Sequence, residues 1–155
     1  MVLEGQVEDR IAAQISELCG PEGISVTCSR GIPDEGTKGE YGGFTSIVGI
    51  AAGFRQHDAF SLSPISVPFN VTVGTRIEND PDGTAHEALV ERIAGLLSDW
   101  HRHGDAMTSA LSTPSFFAGE LRMDGGSGRS YDRERSLWLD SIQFTVRGSE
   151  IFEKS

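Results

Sequence analysis

Residues 65–77 carry the strongest structural signal in this sequence, because apolar and polar side chains alternate along them. The odd positions are nearly all apolar and include Ile65, Val67, Phe69, Val71, Val73 and Ile77. The even positions hold Ser66, Pro68, Asn70, Thr72, Gly74 and Arg76. A β-strand turns successive side chains to opposite faces, so the pattern predicts a long strand with one buried and one solvated face. Such strands are typical of antiparallel sheets that leave one face open to water or to another molecule.

Pro68 stands inside this predicted strand, although proline has no N–H group to donate to a neighbouring strand. Proline within a sheet is confined to edge strands, to the first residue of a strand or to bulges. The sequence therefore predicts an edge position or a bulge at residue 68.

Two segments have the apolar spacing of amphipathic helices. The first covers residues 7–18, and a Gly-Pro pair ends it. The second covers residues 84–100, where apolar side chains form one stripe along the helix. Thr84 and Glu87 match a capping box at the start of this second helix.

Four further segments have strand character. A short one surrounds Val26, a mostly apolar one spans residues 45–54, and two more span residues 117–123 and 138–146. Short or moderate connections between strands favour antiparallel pairing. The element order therefore predicts a single α+β domain over residues 1–155. Its mostly antiparallel sheet would have about four to five strands, with two amphipathic helices packed on one face.

Two glycine-rich segments, residues 30–44 and 124–136, lack the periodicity of a helix or a strand. Loops of this length are uncommon inside compact domains and tend to be functional or disordered. We predict that both are long flexible loops, and that the C-terminal tail over residues 149–155 is frayed.

The chain carries 13 basic and 23 acidic residues, which gives a formal net charge of −10. Tight binding to nucleic acid or to an anionic membrane needs clustered positive charge, so the composition argues against both ligands. No apolar run approaches the ~20 residues of a membrane span, and the N-terminus lacks the pattern of a signal peptide. These features predict a protein that is made in the cytoplasm.

The residues that could carry chemistry lack the context that such chemistry needs. His101 and His103 stand at the expected end of the second helix, where a charge on them would favour the helix dipole. His86 and Glu87 begin like a zinc-protease helix, but that motif needs a second histidine where Val90 stands. The later glycine-rich segment lacks the lysine and the following helix of a phosphate-binding loop. We therefore predict no enzyme activity and no catalytic, cofactor-binding or metal-binding residues.

Both glycine-rich segments contain arginine and aromatic residues that core formation does not explain. Tyrosine and arginine are enriched in the hot spots of protein–protein interfaces. Together with an arginine on the polar face of the long strand, they give these predicted interface residues: Arg30, Lys38, Tyr41, Phe44, Arg76, Arg129, Tyr131, Arg133 and Arg135.

The order of the elements and the pattern of two strands carry a family resemblance. Residues 67–73 form an alternating strand that a turn joins to the helix over residues 84–100, and a late strand covers residues 138–148. With the N-terminal helix in front of the sheet, this arrangement resembles the tail terminator, or tail completion, proteins of long-tailed bacteriophages. The resemblance extends over residues 7–148 and includes no catalytic motif.

The resemblance implies a virion structural protein of the tail or neck, assembled in the host cytoplasm. Such subunits form a homo-oligomeric, hexameric ring that ends the tail tube and joins it to the head connector. The implied partners are further copies of the chain, the tail-tube protein and a head–tail connector or neck protein. DNA would pass through the lumen without specific binding, because a strongly acidic subunit repels it. No cofactor and no membrane contact are implied.

The resemblance also suggests a role for the polar face of the long strand. Its side chains become candidates for lining a channel or for meeting a neighbouring subunit, namely Ser66, Asn70, Thr72 and Arg76. The apolar face of the same strand is expected to pack against the helix over residues 84–100.

Two alternatives remain open from the sequence. Another tail-tube or neck subunit would belong to the same structural class. A small cytoplasmic α+β enzyme or ligand-binding domain would need a concave pocket with convergent polar groups. Its candidate residues would be His57, Asp58, His101 and His103.

Overall fold

The computed structural model describes residues 3–19, 25–27, 46–57, 65–98, 111–134 and 136–151. Five predicted interface residues lie outside these ranges, namely Arg30, Lys38, Tyr41, Phe44 and Arg135. The predicted loop over residues 30–44 also lies outside the described residues, as do Asp58, His101 and His103.

The described part of the chain contains two α-helices and seven strands. Helix α1 spans Leu3–Cys19 and helix α2 spans Thr84–Ser98. The strands are β1 (Ser25–Thr27), β2 (Ser46–Ala52), β3 (Gln56–His57), β4 (Ile65–Arg76), β5 (Phe116–Gly126), β6 (Ser130–Asp132) and β7 (Leu137–Glu150). A 3-10 turn over Ile77–Asn79 follows β4. Within the described ranges, neither helix is long and apolar enough to cross a membrane.

The seven strands form one sheet in the order β1-β2-β4-β7-β5, with β3 paired to β4 and β6 paired to β7. β1 runs parallel to β2, and the other pairings are antiparallel. This architecture confirms the predicted α+β fold with a mostly antiparallel sheet. The strand number exceeds the four to five predicted, because β3 and β6 contain only two and three residues and show no periodic pattern.

β4 is a central strand with the alternating burial that its sequence predicts. The buried side chains on one face are Ile65, Val67, Phe69, Val71 and Val73, whereas Asn70 on the other face is exposed. β4 pairs without interruption with β7, from Ile65 opposite Gly148 to Arg76 opposite Leu137. The same alternation therefore extends across the middle of the sheet.

Pro68 lies where the strand beside β4 is interrupted. β2 ends opposite Phe69 and β3 begins opposite Ser66. Between them, the Pro68 carbonyl accepts a hydrogen bond of 2.7 Å from the N–H of Gly53. The nitrogen and the carbonyl of a residue in an antiparallel strand face the same neighbour, so the missing N–H of Pro68 also faces this break. β4 is not an edge strand, and the irregularity that proline requires is the break between β2 and β3.

Both helices pack on the face of the sheet that carries the odd-numbered β4 side chains. One continuous apolar core includes Val7, Ile11 and Ile15 of α1, Leu89, Ile93 and Leu97 of α2, and Val48, Ile50, Val67, Val71, Ile142, Phe144 and Val146 of the strands. Burial of such side chains is the dominant favourable term in folding. The shared core confirms the prediction that both helices lie on one face.

The opposite face, hereafter the open face, carries the even-numbered β4 side chains and their neighbours in the sheet. In the described part of the chain, no helix packs on it. Its centre consists of uncharged polar side chains, with Asn70 opposite Gln143. At one end it carries a small apolar cluster made of Ile47, Leu137 and Leu139. A sheet with one packed and one polar face is typical of antiparallel architecture.

The second predicted loop, over residues 124–136, contains strand residues at two places. β5 continues to Gly126, β6 occupies Ser130–Asp132, and the N–H of Ser127 donates to the Ser141 carbonyl at 2.8 Å. β7 likewise extends to Glu150, so the described end of the chain is ordered further than the predicted frayed tail over residues 149–155 allows. Sequence reasoning fails here because main-chain pairing needs no side-chain periodicity.

Arg55 joins helix α1 to the end of β7. Its Nε and Nη2 donate to the Glu4 carboxylate at 2.7 and 2.9 Å, and its Nη1 donates to Glu150. The main-chain N–H of Arg55 also donates to Glu4, at 3.1 Å. The hydrogen bond from the Arg55 side chain holds the pKa of Glu4 below its ordinary value. Arg55, Glu4 and Glu150 are named the Arg55 clamp.

We expect Gly148→Ala to destabilise the fold, because β7 and β5 approach closely at this position. A β-carbon at residue 148 would lie 2.0 Å from the Phe117 carbonyl oxygen and 2.9 Å from the Phe116 ring. Overpacking of this kind typically costs ~1–3 kcal/mol, which urea unfolding would detect. Gly119→Ala is the matched control, since its nearest contact is the Arg147 carbonyl oxygen at 3.5 Å. An equal loss in both variants would contradict the packing argument.

The Arg55 clamp should make stability depend on pH in the acidic range. The folded-state pKa of Glu4 lies below its ordinary value of 4.5. Its carboxylate therefore stabilises the fold above the unfolded pKa, and this contribution is lost as pH falls through the folded-state pKa. Glu4→Gln should lower the free energy of unfolding at pH 7 by about 1–3 kcal/mol, as expected for a charged hydrogen bond.

Urea unfolding of Glu4→Gln and the parent chain across a pH series checks this expectation. The difference between them should shrink steadily in acid. Glu17→Gln, at an exposed position of the same helix, is the control and should leave stability unchanged at every pH. A difference that persists undiminished in acid would show that Glu4 acts through packing instead.

Candidate interface at the start of helix α2

Helix α2 begins in a turn whose acidic side chains satisfy its first N–H groups. Asp80 accepts hydrogen bonds from the N–H of Ala85 at 3.2 Å and from that of His86 at 2.8 Å. Asp82 accepts one from the N–H of Thr84 at 3.2 Å, which lowers the pKa of Asp82. The first N–H groups of a helix have no partner inside it, and carboxylates favour the positive end of its dipole.

This arrangement differs from the predicted capping box of Thr84 and Glu87. The N–H of Glu87 donates to the Gly83 carbonyl at 3.0 Å, so the helical pattern already begins at Gly83. The Glu87 side chain turns outward and lies 3.2 Å from Arg129. The two aspartates of the preceding turn take over the cap, because together their carboxylates accept from the N–H groups of Thr84, Ala85 and His86.

A chain of hydrogen bonds behind this turn connects α2 to three strands. Nε2 of the fully buried His86 lies 2.9 Å from Oδ2 of Asp140, and its Nδ1 lies 2.8 Å from Oγ1 of Thr75. Oγ1 of Thr75 lies 3.0 Å from Oγ of Ser46. An imidazole that donates from Nε2 to the carboxylate can accept at Nδ1 from the Thr75 hydroxyl, and Ser46 can then donate to Thr75. We name these four side chains the buried polar chain.

The buried polar chain has the composition of a nucleophile, a base and an acid, but it is enclosed. His86 is 0% exposed, and the other three members are at most 8% exposed. A catalytic hydroxyl has to meet its substrate, whereas the hydrogen bonds of these hydroxyl groups to described residues go to each other and to the imidazole. A buried polar group left without a partner costs ~1–3 kcal/mol, so the chain holds α2 at one position on the sheet.

Trp138 connects the turn to an exposed group of side chains. Its Nε1 donates to the Asp80 carbonyl at 2.8 Å. The Arg129 guanidinium lies over the Trp138 ring, 4.6 Å from the centroid. Tyr131 lies opposite Trp138 on β6, with 5.8 Å between the ring centroids, and is 53% exposed. Arg129, Tyr131 and Trp138 are named the aromatic cluster.

Gly83 allows Arg129 to lie directly against the turn. Arg129 Nη1 donates to the Asp82 carbonyl at 3.1 Å and lies 3.2 Å from Glu87. Gly83 has a φ of 77°, in the left-handed region that favours glycine. A β-carbon at this position would lie 1.9 Å from Arg129 Nη1. The turn therefore requires glycine both for its backbone conformation and for the approach of the guanidinium.

The structure brings together two of the four predicted interface residues that it describes. Arg129 and Tyr131 belong to the aromatic cluster, and Arg133 is exposed in the turn after β6. Arg76 lies at the same end of the sheet but on the open face, opposite Leu137. Trp138 lies on the same face of β7 as the buried Ile142 and Phe144, but it is only half-buried and belongs to the cluster.

Sequence reasoning missed the buried residues that support the cluster. Asp140 and His86 are 54 positions apart, so no local motif relates them. The one available signal is that Asp140 interrupts an apolar strand and His86 interrupts the first turn of an apolar helix. Ionisable residues at core positions are almost never buried unless they are paired.

The aromatic cluster presents side chains of types that occur in protein interfaces, and the described residues form no metal site. Among the residues that the structure describes, no group of three or more His, Cys, Asp or Glu side chains could hold a metal ion. What the surface offers instead is a tryptophan, a tyrosine and an arginine on a rigid support. These three residue types dominate the hot spots of protein interfaces.

Comparison with known proteins does not assign the chain to a family. No protein-family model matches it, and no curated protein matches it at a significant level.

We expect Asp80→Ala to weaken the attachment of α2. The substitution leaves the N–H groups of Ala85 and His86 without their acceptor, and loss of a helix cap costs ~0.5–2 kcal/mol. Urea unfolding should place Asp80→Ala near the upper end of that range, because the His86 N–H is buried. Asp82→Ala is the matched control and should cost less, since Asp82 is exposed and accepts only from Thr84. Equal costs would contradict the assignment of Asp80 as the principal cap.

Proposed function

We propose that this protein is a virion structural protein of the tail terminator, or tail completion, type. It forms a homo-oligomeric, hexameric ring that ends the tail tube of a long-tailed bacteriophage and joins it to the head connector or neck. The observation that carries the proposal is the aromatic cluster, in which exposed Arg129 and Tyr131 lie against the half-buried Trp138 at the start of helix α2.

The aromatic cluster supports an assembly role because it is already ordered in the single subunit. Trp138 is tied to the Asp80 main chain, and Arg129 is held by Glu87 and by the Trp138 ring. Preorganised side chains lose little conformational entropy on binding, so more of their contact energy appears as affinity. Tyr131 keeps half of its surface exposed and is available for burial against a partner.

The charge of the side chains on the open face supports the proposal that this face lines a channel through which DNA passes without being bound. The central side chains of this face, such as Asn70 and Gln143, are uncharged. Glu120 lies opposite Arg147 on the same face, so charges of both signs are present rather than a basic patch. Phosphate binding depends on clustered positive charge, and the net charge of −10 opposes it further.

Another tail-tube or neck subunit remains the nearest alternative, because it would use the same kind of surfaces. The two differ in how assembly ends. A tube subunit polymerises without limit, whereas a terminator stops after one ring. Sizing the protein over a wide concentration range separates them, since only the tube subunit forms polymers of increasing length.

A small α+β enzyme is the alternative from a different class. Its specific support is the buried polar chain, in which a hydroxyl, an imidazole and a carboxylate follow one another. This support is weaker, because a substrate would have to open the core to reach Thr75. Of the candidate pocket residues for this alternative, His57 lies exposed on β3. β4 separates β3 from β7 in the sheet.

We expect the protein to cap tail tubes as rings in negative-stain images when it is mixed with the tail-tube protein. Tyr131→Ala should weaken capping more than tenfold, since truncating a hot-spot residue costs at least ~2 kcal/mol. Tyr131→Phe keeps the aromatic side chain and is the matched control, so this variant should cap tail tubes nearly as well as the parent chain. Monomers alone, even with tail-tube protein present, would overturn the proposal.

A further inference from the structure

β5 lies at the edge of the sheet in the described part of the chain, because its only strand partner there is β7. Two bulges interrupt its pairing with β7, between Ala118 and Glu120 and between Met123 and Gly125. An edge strand presents unpaired N–H and C=O groups to solvent, which makes it a template for another strand.

The first part of this edge is already occupied by the chain itself. Phe116 exchanges two main-chain hydrogen bonds with Thr113, at 2.8 and 3.2 Å. The N–H of Ala118 donates to Oγ of Ser112 at 3.0 Å. These bonds show that Phe116 and Ala118 turn main-chain groups away from β7, where Thr113 satisfies both groups of Phe116 and Ser112 satisfies the N–H of Ala118.

The second part of the edge has no strand partner within the described part of the chain. The N–H of Ser127 points toward β7, since it donates to the Ser141 carbonyl. The main-chain groups of successive residues in a strand point alternately toward and away from the neighbouring strand. Leu121 and Met123 lie opposite Val146 and Phe144, where this alternation turns their main-chain groups away from β7. Within the described ranges, no residue hydrogen-bonds to them on that side. The open stretch therefore runs from Gly119 to Met123.

The side chains on this stretch are self-complementary in charge. Glu120 and Arg122 both lie on the open face, opposite Arg147 and Thr145 of β7 respectively. If a second copy of β5 is placed antiparallel with Leu121 opposite Leu121, each Glu120 faces an Arg122 of the other copy. Every directly opposed pair from Glu120 to Arg122 then also shares a face of the sheet, as strand pairing requires.

We propose that this edge of β5 binds a second copy of the chain, with β5 antiparallel to its counterpart about a two-fold axis at Leu121. The main-chain groups of the two Leu121 residues exchange hydrogen bonds across the axis. Within one subunit, Glu120 lies opposite Arg147. The other copy's Arg122 lies on the far side of Glu120, so basic and acidic side chains alternate across the contact. Arg122 donates from Nε to Asp124 at 2.8 Å, which leaves its terminal nitrogens for the second carboxylate.

The opposite edge of the sheet is a poorer partner for this stretch. β1 contains only three residues. At the end of β2, the N–H of Ala52 already donates to Glu8 at 2.7 Å. A second β5 is therefore the better match within the described part of the chain.

The contact is isologous, so it closes after two copies and cannot itself generate a ring. It is separate from the aromatic cluster and goes beyond the proposed tail function. Because the paired stretch is short, the contact should be weak and visible at high protein concentration. Opposite charges directly across two strands stabilise their pairing, and like charges destabilise it.

Sedimentation of the full chain over a range of concentrations tests this contact. The parent chain should reach a dimer. Arg122→Glu and Glu120→Arg should each dimerise about tenfold more weakly or worse, because both symmetry-related pairs become repulsive. An equimolar mixture of these two variants should regain the parent affinity, since every opposed pair in the mixed dimer is again Glu with Arg.

Exposed positions on α1 provide the controls, because they carry the same charge changes away from the edge. Arg10→Glu and Asp9→Arg should leave the dimer unchanged. Urea unfolding of each variant confirms that the exposed substitutions leave the fold intact. A monomer at all concentrations, or a dimer that both single reversals leave intact, would overturn the β5 contact. Rings of six that form regardless of these reversals would remove the contact while leaving the proposed tail function standing.

Discussion

The uninterrupted pairing of β4 with β7 holds the rest of the molecule in position. All twelve residues of β4 have a partner on β7. The pairing brings Val67, Val71 and the apolar side chains opposite them onto one face, where both helices can cover them. It also fixes what lies at its two ends, since each end carries a group of polar contacts that joins the sheet to a helix.

Those two ends use electrostatics in different ways. At one end, the Arg55 clamp lies near the surface, so its charges remain partly hydrated and their pairing costs little desolvation. At the other end, His86 and Asp140 are removed from water, and each needs every partner that the fold provides. A buried network of this kind is favourable only when it is complete, and it then specifies one arrangement of the core. The aromatic cluster lies directly on this second, rigid end.

The parts of the fold that follow from side-chain periodicity could be predicted from the sequence. The alternation along β4 and the apolar stripe of α2 report which face of each element is buried. Elements without such a pattern could not be predicted, such as β6 and the glycine-rich end of β5, because their pairing is a property of the main chain.

The candidate site also contains residues that the sequence singles out and residues that it does not. The sequence singles out Arg129 and Tyr131 as candidate interface residues, through their type and their position in a glycine-rich segment. It does not single out the residues that support them, because Asp80, His86 and Asp140 meet only after the strands have paired. The role of Trp138 also depends on the folded state, since its ring lies at the rim of the core where Arg129 can cover it.

Pro68 has a consequence for how the strands find their register. A shift of β2 by one residue along β4 would turn apolar side chains to the wrong face, so burial alone opposes it. A shift by two residues leaves every side chain on its native face of the sheet, so burial alone does not oppose this shift. One such shift would bring Ala51 opposite Pro68 instead of Asn70, its native partner. The ladder would then need an N–H that proline lacks, so Pro68 disfavours this shift relative to the native alignment.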